Sequence, residues 1–380
     1  MKKILAHICS FALLLSLLIP ISSSADSIPR DPNGDGSINI SDAVYILQYL
    51  AGKYRASNID ALDFDYNGII SKMDVDKVQS YCLGIIPTPS QGGNYGNIGI
   101  TNNTTSNRTY WKHDYNSTSS TQKTIYTLYA NGLENNSFED EVETCHVIEG
   151  NMTTDYDTAV VRLSTGGTGF IIGDHLIATA GHCVFNTNNN TFLNFDIKII
   201  NSNNQVIATY EPRYAHITKN FADLPNDNNN YICNYDYALI YVEDDLSQYP
   251  KFELGVMLNN YSNMQGSVTV SGFPQSYPSE YGSSAWGIRF KSTGHILSNH
   301  TNNMVISYSA DTEPGDSGGP VFKEEMLYLE SPSYSVNSHH KTVIGINACQ
   351  STNTSSPYNS GVRITNDVLK FYKNNLNISN

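Results

Sequence analysis

Positive charge is scarce in this sequence: 22 Lys and Arg stand against 36 Asp and Glu over 380 residues, a formal net charge of −14. Nucleic acid and anionic membranes repel so acidic a chain at long range, which sets aside nucleic-acid and membrane-surface partners. Long apolar runs are also scarce. The run from Phe11 to Ile19 is shorter than the ~20 residues needed to span a bilayer, and no later segment is apolar for long enough. Lys2 and Lys3 precede that run and Ser23, Ser24 and Ala25 follow it, so residues 1–25 read as an export signal and the protein is expected to be secreted and extracellular. Cysteine is limited to six residues, and Cys9 would leave with the signal. Cys82 stands apart; Cys145, Cys183, Cys233 and Cys349 allow three pairings, between which sequence does not choose, and one thiol is left over.

What the chain does have, early on, is a repeat. Asp31 to Asp42 and Asp63 to Asp74 are two twelve-residue loops, each followed by a short amphipathic stretch. Oxygen-bearing side chains fall at positions 1, 3, 5, 9 and 12: Asp31, Asn33, Asp35, Asn39 and Asp42, then Asp63, Asp65, Asn67, Ser71 and Asp74. At position 7, Ser37 and Ile69 offer backbone carbonyls. This is the donor spacing of a hard cation such as calcium, with Gly36 and Gly68 where the loop turns sharply. One such cluster is an ordinary Asp-Asn-Gly turn, but two in tandem point to a pair of calcium sites. Val44, Leu47 and Leu50, with Val75, Val78 and Cys82, are expected to form the apolar faces that pack the units together.

Position 12 is Asp rather than the usual Glu, and there is no entering helix, so residues 30–86 resemble a type I dockerin. The resemblance implies two structural calcium ions and, as partner, a cohesin domain of a scaffoldin in a cellulosome-like, polysaccharide-degrading complex. The partner-reading positions 10 and 11 hold Ile40-Ser41 and Lys72-Met73 where the best-known members have Ser-Thr.

Residues 87–146 are rich in Pro, Ser, Thr, Asn, Gly and Tyr without a period of 2 or 3.6, and read as a linker or pro-segment. Beyond residue 146, short β-branched runs recur between turn residues: Ala159 to Leu163, Gly169 to Ile172, His175 to Ala180, Tyr237 to Val242, Ser267 to Val270, Met304 to Ser307 and Val343 to Ile346. They argue a mainly β sandwich or barrel. A helix is expected from about Asn366, with Val368, Leu369 and Tyr372 on one face.

A serine hydroxyl becomes a useful nucleophile only when an imidazole takes its proton and a carboxylate holds that imidazole. The sequence offers one set in the order His, Asp, Ser. His182 follows an apolar strand in Thr179-Ala-Gly-His-Cys183, and Asp236 opens the strand Tyr237 to Val242. Ser317 sits in the glycine-dense turn Gly315-Asp-Ser-Gly-Gly-Pro320. Asp223, Asp244 and Asp245 lie nearby, but Asp236 alone is flanked by aromatics at the mouth of an apolar strand. The glycines allow the Gly315 and Ser317 N–H groups to converge as an oxyanion hole.

Thr168 to Gly173, Ala178 to Cys183, Asp236 to Ile240 and Gly315 to Val321 together resemble trypsin-fold serine endopeptidases, nearest to the V8-like glutamyl branch. The resemblance covers residues 147–376 and implies a chymotrypsin-like pair of six-stranded β-barrels with the triad between them. It places Asp311, Thr312 and Asn347 in the substrate pocket. Asn347 stands where the glutamyl branch has a histidine; Asn donates a hydrogen bond without positive charge, so a glutamate preference is not carried over. Asp311 stands where trypsin-like enzymes keep a carboxylate for Arg or Lys, although V8-like enzymes also show an Asp-Thr pair, and the choice of cleavage site stays open. Many relatives have a cysteine at Gly167 to bridge the one after the histidine, so Cys183 needs another partner, for which Cys145 is the guess, or stays free. Val147-Ile-Glu-Gly150 resembles a mature N-terminus, whose freed α-amine would pair with Asp316, against a purely local hydrogen bond for that carboxyl.

The sequence reading is therefore a secreted serine endopeptidase tethered by a dockerin, with calcium structural and no cofactor in the chemistry. The rival is a non-catalytic peptide-binding adaptor with a protease-like fold, against which the filled triad positions argue. A glycoside hydrolase would need a long barrel or repeated α/β pattern that the sequence lacks.

Overall fold

The computed structural model describes residues 30–53, 56–84, 105–117, 124–131, 152–154, 157–223, 233–258, 266–275, 287–331, 334–350 and 358–374. The leader, Cys145, Val147 and Ile148 lie outside these residues. Among the described residues no helix is long and apolar enough to cross a membrane.

Each repeated loop runs into a helix, Ile40–Leu50 and Lys72–Cys82. Position 9 of each loop is the helix N-cap and position 12 is its third residue. Asn39 and Ser71 accept from the first turn, and Asp42 and Asp74 reach back to the cap N–H groups. These capping boxes satisfy the otherwise orphaned amides of the first turn and point both carboxylates into their loops. The packing face of the first helix differs from the expected one. Ala43, Ile46 and Leu50 are buried, whereas Val44 and Leu47 are 46% and 40% exposed. The helix carries two apolar stripes, and periodicity cannot say which one faces inward. In the second helix Val75 and Val78 are buried, and Cys82 is half-buried, as expected.

Most of the other described residues build two curled, largely antiparallel sheets, beside the small two-stranded pairings of Ile69–Ile70 with Val256–Met257 and of Phe185–Asn186 with Thr191–Phe192. In hydrogen-bonded order the first has nine strands: Val206–Tyr210, Ile197–Ile200, Val160–Leu163, Thr168–Gly173, Leu176–Thr179, Ala238–Tyr241, Tyr214–Thr218, Thr105–Asp114 and Thr124–Asn131. The second, of eight, runs Val305–Tyr308, Asn359–Arg363, Tyr334–Gln350, Pro320–Ser331, Ser267–Gly272, Phe290–His295 and Met152–Thr154, with Glu253–Leu254 added in parallel to Tyr334–Gln350. The sheets exceed the expected six strands partly because of Thr105–Asp114 and Thr124–Asn131. This hairpin lies within the expected linker or pro-segment, yet pairs with Tyr214–Thr218. It is anchored by Tyr110, whose ring lies 4.9 Å from Phe371, and by Trp111, 6.0 Å from Phe185.

The terminal helix, Asn366–Asn374, buries Val368, Leu369, Phe371 and Tyr372. Tyr372 donates to the Ala238 carbonyl at 3.2 Å, bracing the strand that Asp236 precedes. Of the three possible pairings the structure shows Cys233–Cys349, with Cα atoms 6.1 Å apart. Cys183 is free and buried, and Cys82 is free. The disulfide crosses from the turn before Asp236 to the strand that carries Asn347. Its 116-residue span is worth about 4–5 kcal/mol in chain-entropy terms.

Candidate active site

Strand register creates the first contact of the site. Ala238 pairs with Thr179 and Leu239 with Ala178, which sets Asp236 beside the short turn Gly181–Cys183 that follows the Leu176–Thr179 strand. Asp236 is fully buried. Its Oδ2 lies 2.6 Å from His182 Nδ1, and its Oδ1 accepts the His182 main-chain N–H at 2.8 Å. The carboxylate therefore fixes both the imidazole and the backbone bearing it. Gly181 leaves the room for this: a Cβ there would come within 2.8 Å of the Phe221 ring and 3.0 Å of Asp236 Oδ1. Burial works against a charge on His182, but the Asp236 carboxylate, with a further contribution from Cys183, outweighs it and holds the imidazole well above its ordinary pKa.

The turn carrying Ser317 is clamped from both sheets. Thr168 N–H donates to the Ser317 carbonyl at 2.8 Å, and Gly318 N–H donates to the Asn347 carbonyl at 2.7 Å. The buried Thr168 hydroxyl donates to the Gly315 carbonyl at 2.7 Å and accepts from Phe273 N–H at 3.0 Å. Sequence reading gave Thr168 no such role, because a threonine in a strand has no distinguishing pattern. Cys183 Sγ donates to the Ser317 carbonyl at 3.3 Å, which brings the residue after His182 against the nucleophile's backbone. A Cβ at Gly167 would lie 2.5 Å from that sulfur, so the missing bridge cysteine is replaced by a close contact.

Gly315 and Gly318 hold φ of +106° and +85°, in the left-handed region that favours glycine. A Cβ would fall 2.3 Å from the Phe273 carbonyl at the first and 2.2 Å from the Thr168 carbonyl at the second. Among the described residues no partner takes up the Gly315 or Ser317 main-chain N–H.

In the expected pocket, Asp311, Thr312 and Asn347 are all buried. Asp311 N–H donates to Ser292 Oγ at 2.8 Å, and Tyr308 OH donates to Asn347 Oδ1 at 2.6 Å. Asp316 accepts the Glu313 N–H at 2.9 Å, and its Oδ1 has no hydrogen-bond partner among the described residues. Burial pushes this carboxyl up to about 8, against the pull of the Glu313 N–H and with the Glu313 charge adding to it.

The two acidic loops use matching internal bonds. Gly34 and Gly36 donate to Asp31, and Asn67 and Gly68 donate to Asp63. Asp42 accepts from Asn33 and Asn39, as Asp74 does from Asp65 and Ser71. In the second loop Asp63, Asp65 and Asp74 bring ligand oxygens within 4.8 Å of one another. Burial raises all three carboxyls: Asp63 to about 7 despite Arg30, and Asp74, fully buried, well above the usual range. An all-oxygen cluster that resists ionising alone fits a hard divalent cation, whose charge would ionise it. Asn67, Ser71 and the Ile69 carbonyl fall at the remaining ligand positions. Asp31, Asn33, Asp35, Ser37, Asn39 and Asp42 fill the same places in the first loop.

Residues 167–326 match the trypsin-like peptidase domain family, and residues 29–83 match the dockerin type I domain family, whose members bind calcium. The two-sheet architecture is chymotrypsin-like, with the dockerin N-terminal to it. A glutamyl endopeptidase of Bacillus licheniformis is 28% identical over 215 residues, 56% of this chain; the match spans 60% of that relative's length. A solved Glu endopeptidase in complex with MPD aligns at a TM-score of 0.46 and 15% identity, over 59% of this chain and 96% of the other.

Proposed function

We propose that this chain, a trypsin-like peptidase domain joined to a type I dockerin, is a secreted serine endopeptidase that docks through calcium-loaded loops onto a cohesin-bearing scaffold. The observation that carries the catalytic part is the buried Asp236 carboxylate 2.6 Å from His182 Nδ1, beside a glycine turn clamped from both sheets. Ser317 Oγ attacks the peptide carbonyl while His182 Nε2 takes its proton. Asp236 holds the tautomer and balances the imidazolium that forms. The Gly315 and Ser317 N–H groups receive the oxyanion, each contributing about 3–4 kcal/mol of barrier lowering. His182 then protonates the leaving amine, and water, deprotonated by the same imidazole, releases the acyl group from Ser317.

Asp311, Thr312 and Asn347 form the P1 pocket. With Asn347 Oδ1 engaged by Tyr308, its Nδ2 is the donor offered to substrate. Asp31, Asp35 and Asp42 in the first loop and Asp63, Asp65 and Asp74 in the second would each hold one calcium ion, whose charge would balance theirs. Extracellular work suits the disulfide, which persists in oxidising surroundings.

A fluorophosphonate probe, which phosphonylates activated serines, is expected to label native protein at Ser317 and to leave heat-denatured protein unlabelled, as read by peptide mass spectrometry. Failure to label native protein at Ser317 would overturn the reading. The pH profile gives a second result. His182 must be neutral to act as base, and its pKa is raised, so the ascending limb of kcat/KM against pH is expected above about 6.5, the ordinary histidine value. A limb below that value would contradict the Asp236 field.

A further inference from the structure

The two calcium loops are alike in sequence but not in placement. In the first, Asp35, Gly36 and Ser37 are exposed. In the second, two ligand-bearing residues are held by the peptidase domain. Asn67 Nδ2 donates to Glu325 Oε1 at 3.2 Å, while its Oδ1 accepts Ile69 N–H within the loop at 2.7 Å. Glu325 is itself buried and fixed, its Oε2 accepting from Thr342 Oγ1 at 2.5 Å. Ile69 and Ile70 pair antiparallel with Met257 and Val256, and Leu258 N–H donates to the Gly68 carbonyl at 2.8 Å.

The Ile69 side chain is 2% exposed and belongs to the core of the second sheet, with Met257, Tyr308, Val321 and Ile344. The same residue therefore presents a ligand carbonyl on its backbone and fills the peptidase core with its side chain. Around this seam Lys72 meets Glu253 at 2.5 Å, and His340 bridges Asp76 at 3.0 Å and Glu253 at 2.9 Å. Without a balancing charge, the three acidic groups of the second loop are crowded together in a buried site, and that crowding bears directly on Ile69–Ile70 and on Val256–Met257, the peptidase-domain strand paired with it.

We propose that the calcium of the second loop is a structural ion of the peptidase domain, with Glu325 as the positioning residue that turns Asn67 toward it, while the first loop's ion serves the dockerin alone. This rests on the calcium reading above but not on hydrolysis. Both tryptophans, Trp111 and Trp286, lie outside residues 30–86, so tryptophan fluorescence reports unfolding of the peptidase domain.

The test strips the full chain with EDTA, adds calcium alone and follows thermal unfolding by tryptophan emission. At about a hundredfold excess over Kd the midpoint is expected to rise by about 5–10 °C. Asp63→Asn, in the second loop, should lose most of that rise and Asp31→Asn, in the first, should keep it. Glu325→Gln should raise the calcium concentration needed for half the rise about 10-fold. A merely structural Glu325 would lower the midpoint equally with and without calcium and leave the half-point unmoved. That result, a tryptophan transition indifferent to calcium, or a shift that follows Asp31 would each overturn the proposal. An inactive peptidase would not affect it.

Discussion

Replacing Ser317 by Ala is expected to lower kcat for casein or a fluorogenic peptide by about 10⁴- to 10⁶-fold, with the fold unchanged. The structural duties of this residue are main-chain ones: its carbonyl accepts from Thr168 N–H and from the Cys183 thiol, and alanine keeps both. What is lost is the hydroxyl proposed to form the acyl bond. Turnover left in the variant would come from the oxyanion donors and from substrate binding, neither of which needs the hydroxyl. Equal, background-level turnover in wild type and variant would instead favour the adaptor reading, in which the cleft binds peptides without cutting them.

Asp236→Asn is expected to cost about 10⁴-fold in kcat while leaving substrate binding nearly unaltered. The amide has the shape of the carboxylate but not its two acceptors. If its oxygen keeps the His182 main-chain N–H, now at 2.8 Å from Oδ1, its NH₂ faces His182 Nδ1 and forces the proton onto Nε2. That tautomer cannot accept from Ser317. If the amide flips, a donor faces the main-chain donor at a fully buried position. Removing the charge also withdraws the influence that raises His182, so whatever rate remains should show an acid limb displaced to lower pH. An Asn variant within tenfold of wild type would sink the orienting role of Asp236.

The parts of the site that sequence reveals are those where chemistry and backbone shape coincide locally. Gly315 and Gly318 must be glycine both for φ and for space, so the turn around Ser317 carries its own signature. Asp236 could be picked out because an acid between Tyr235 and Tyr237 at the start of an apolar strand is unusual. The remainder depends on what lies far away in sequence. Ala43, Ile46 and Leu50 compete with Ile40, Val44 and Leu47 for the inward face of one helix, and only the surroundings decide between them. Cys233 finds Cys349 through sheet topology, which no spacing rule encodes. The hairpin of Thr105–Asp114 and Thr124–Asn131 reads as a connector because the segment around it is rich in Pro, Ser, Thr, Asn, Gly and Tyr, yet Tyr110 and Trp111 are enough to seat it on the sheet. Glu325 looks like any strand acid until folding brings Asn67 to it, 258 positions away.

The bond between Cys233 and Cys349 also orders events in time. A polypeptide made from its N-terminus forward completes His182 and Asp236 long before residue 349 exists, and Ser317 before its supporting strand from Tyr334 to Gln350 is finished. Until that late strand arrives, the turn ahead of Asp236 has nothing to be stapled to, and Gly318 lacks the Asn347 carbonyl that pins it. A nascent chain is thus expected to be incapable of cutting its neighbours or itself. The candidate site is assembled last, and its staple closes only where an oxidant is supplied.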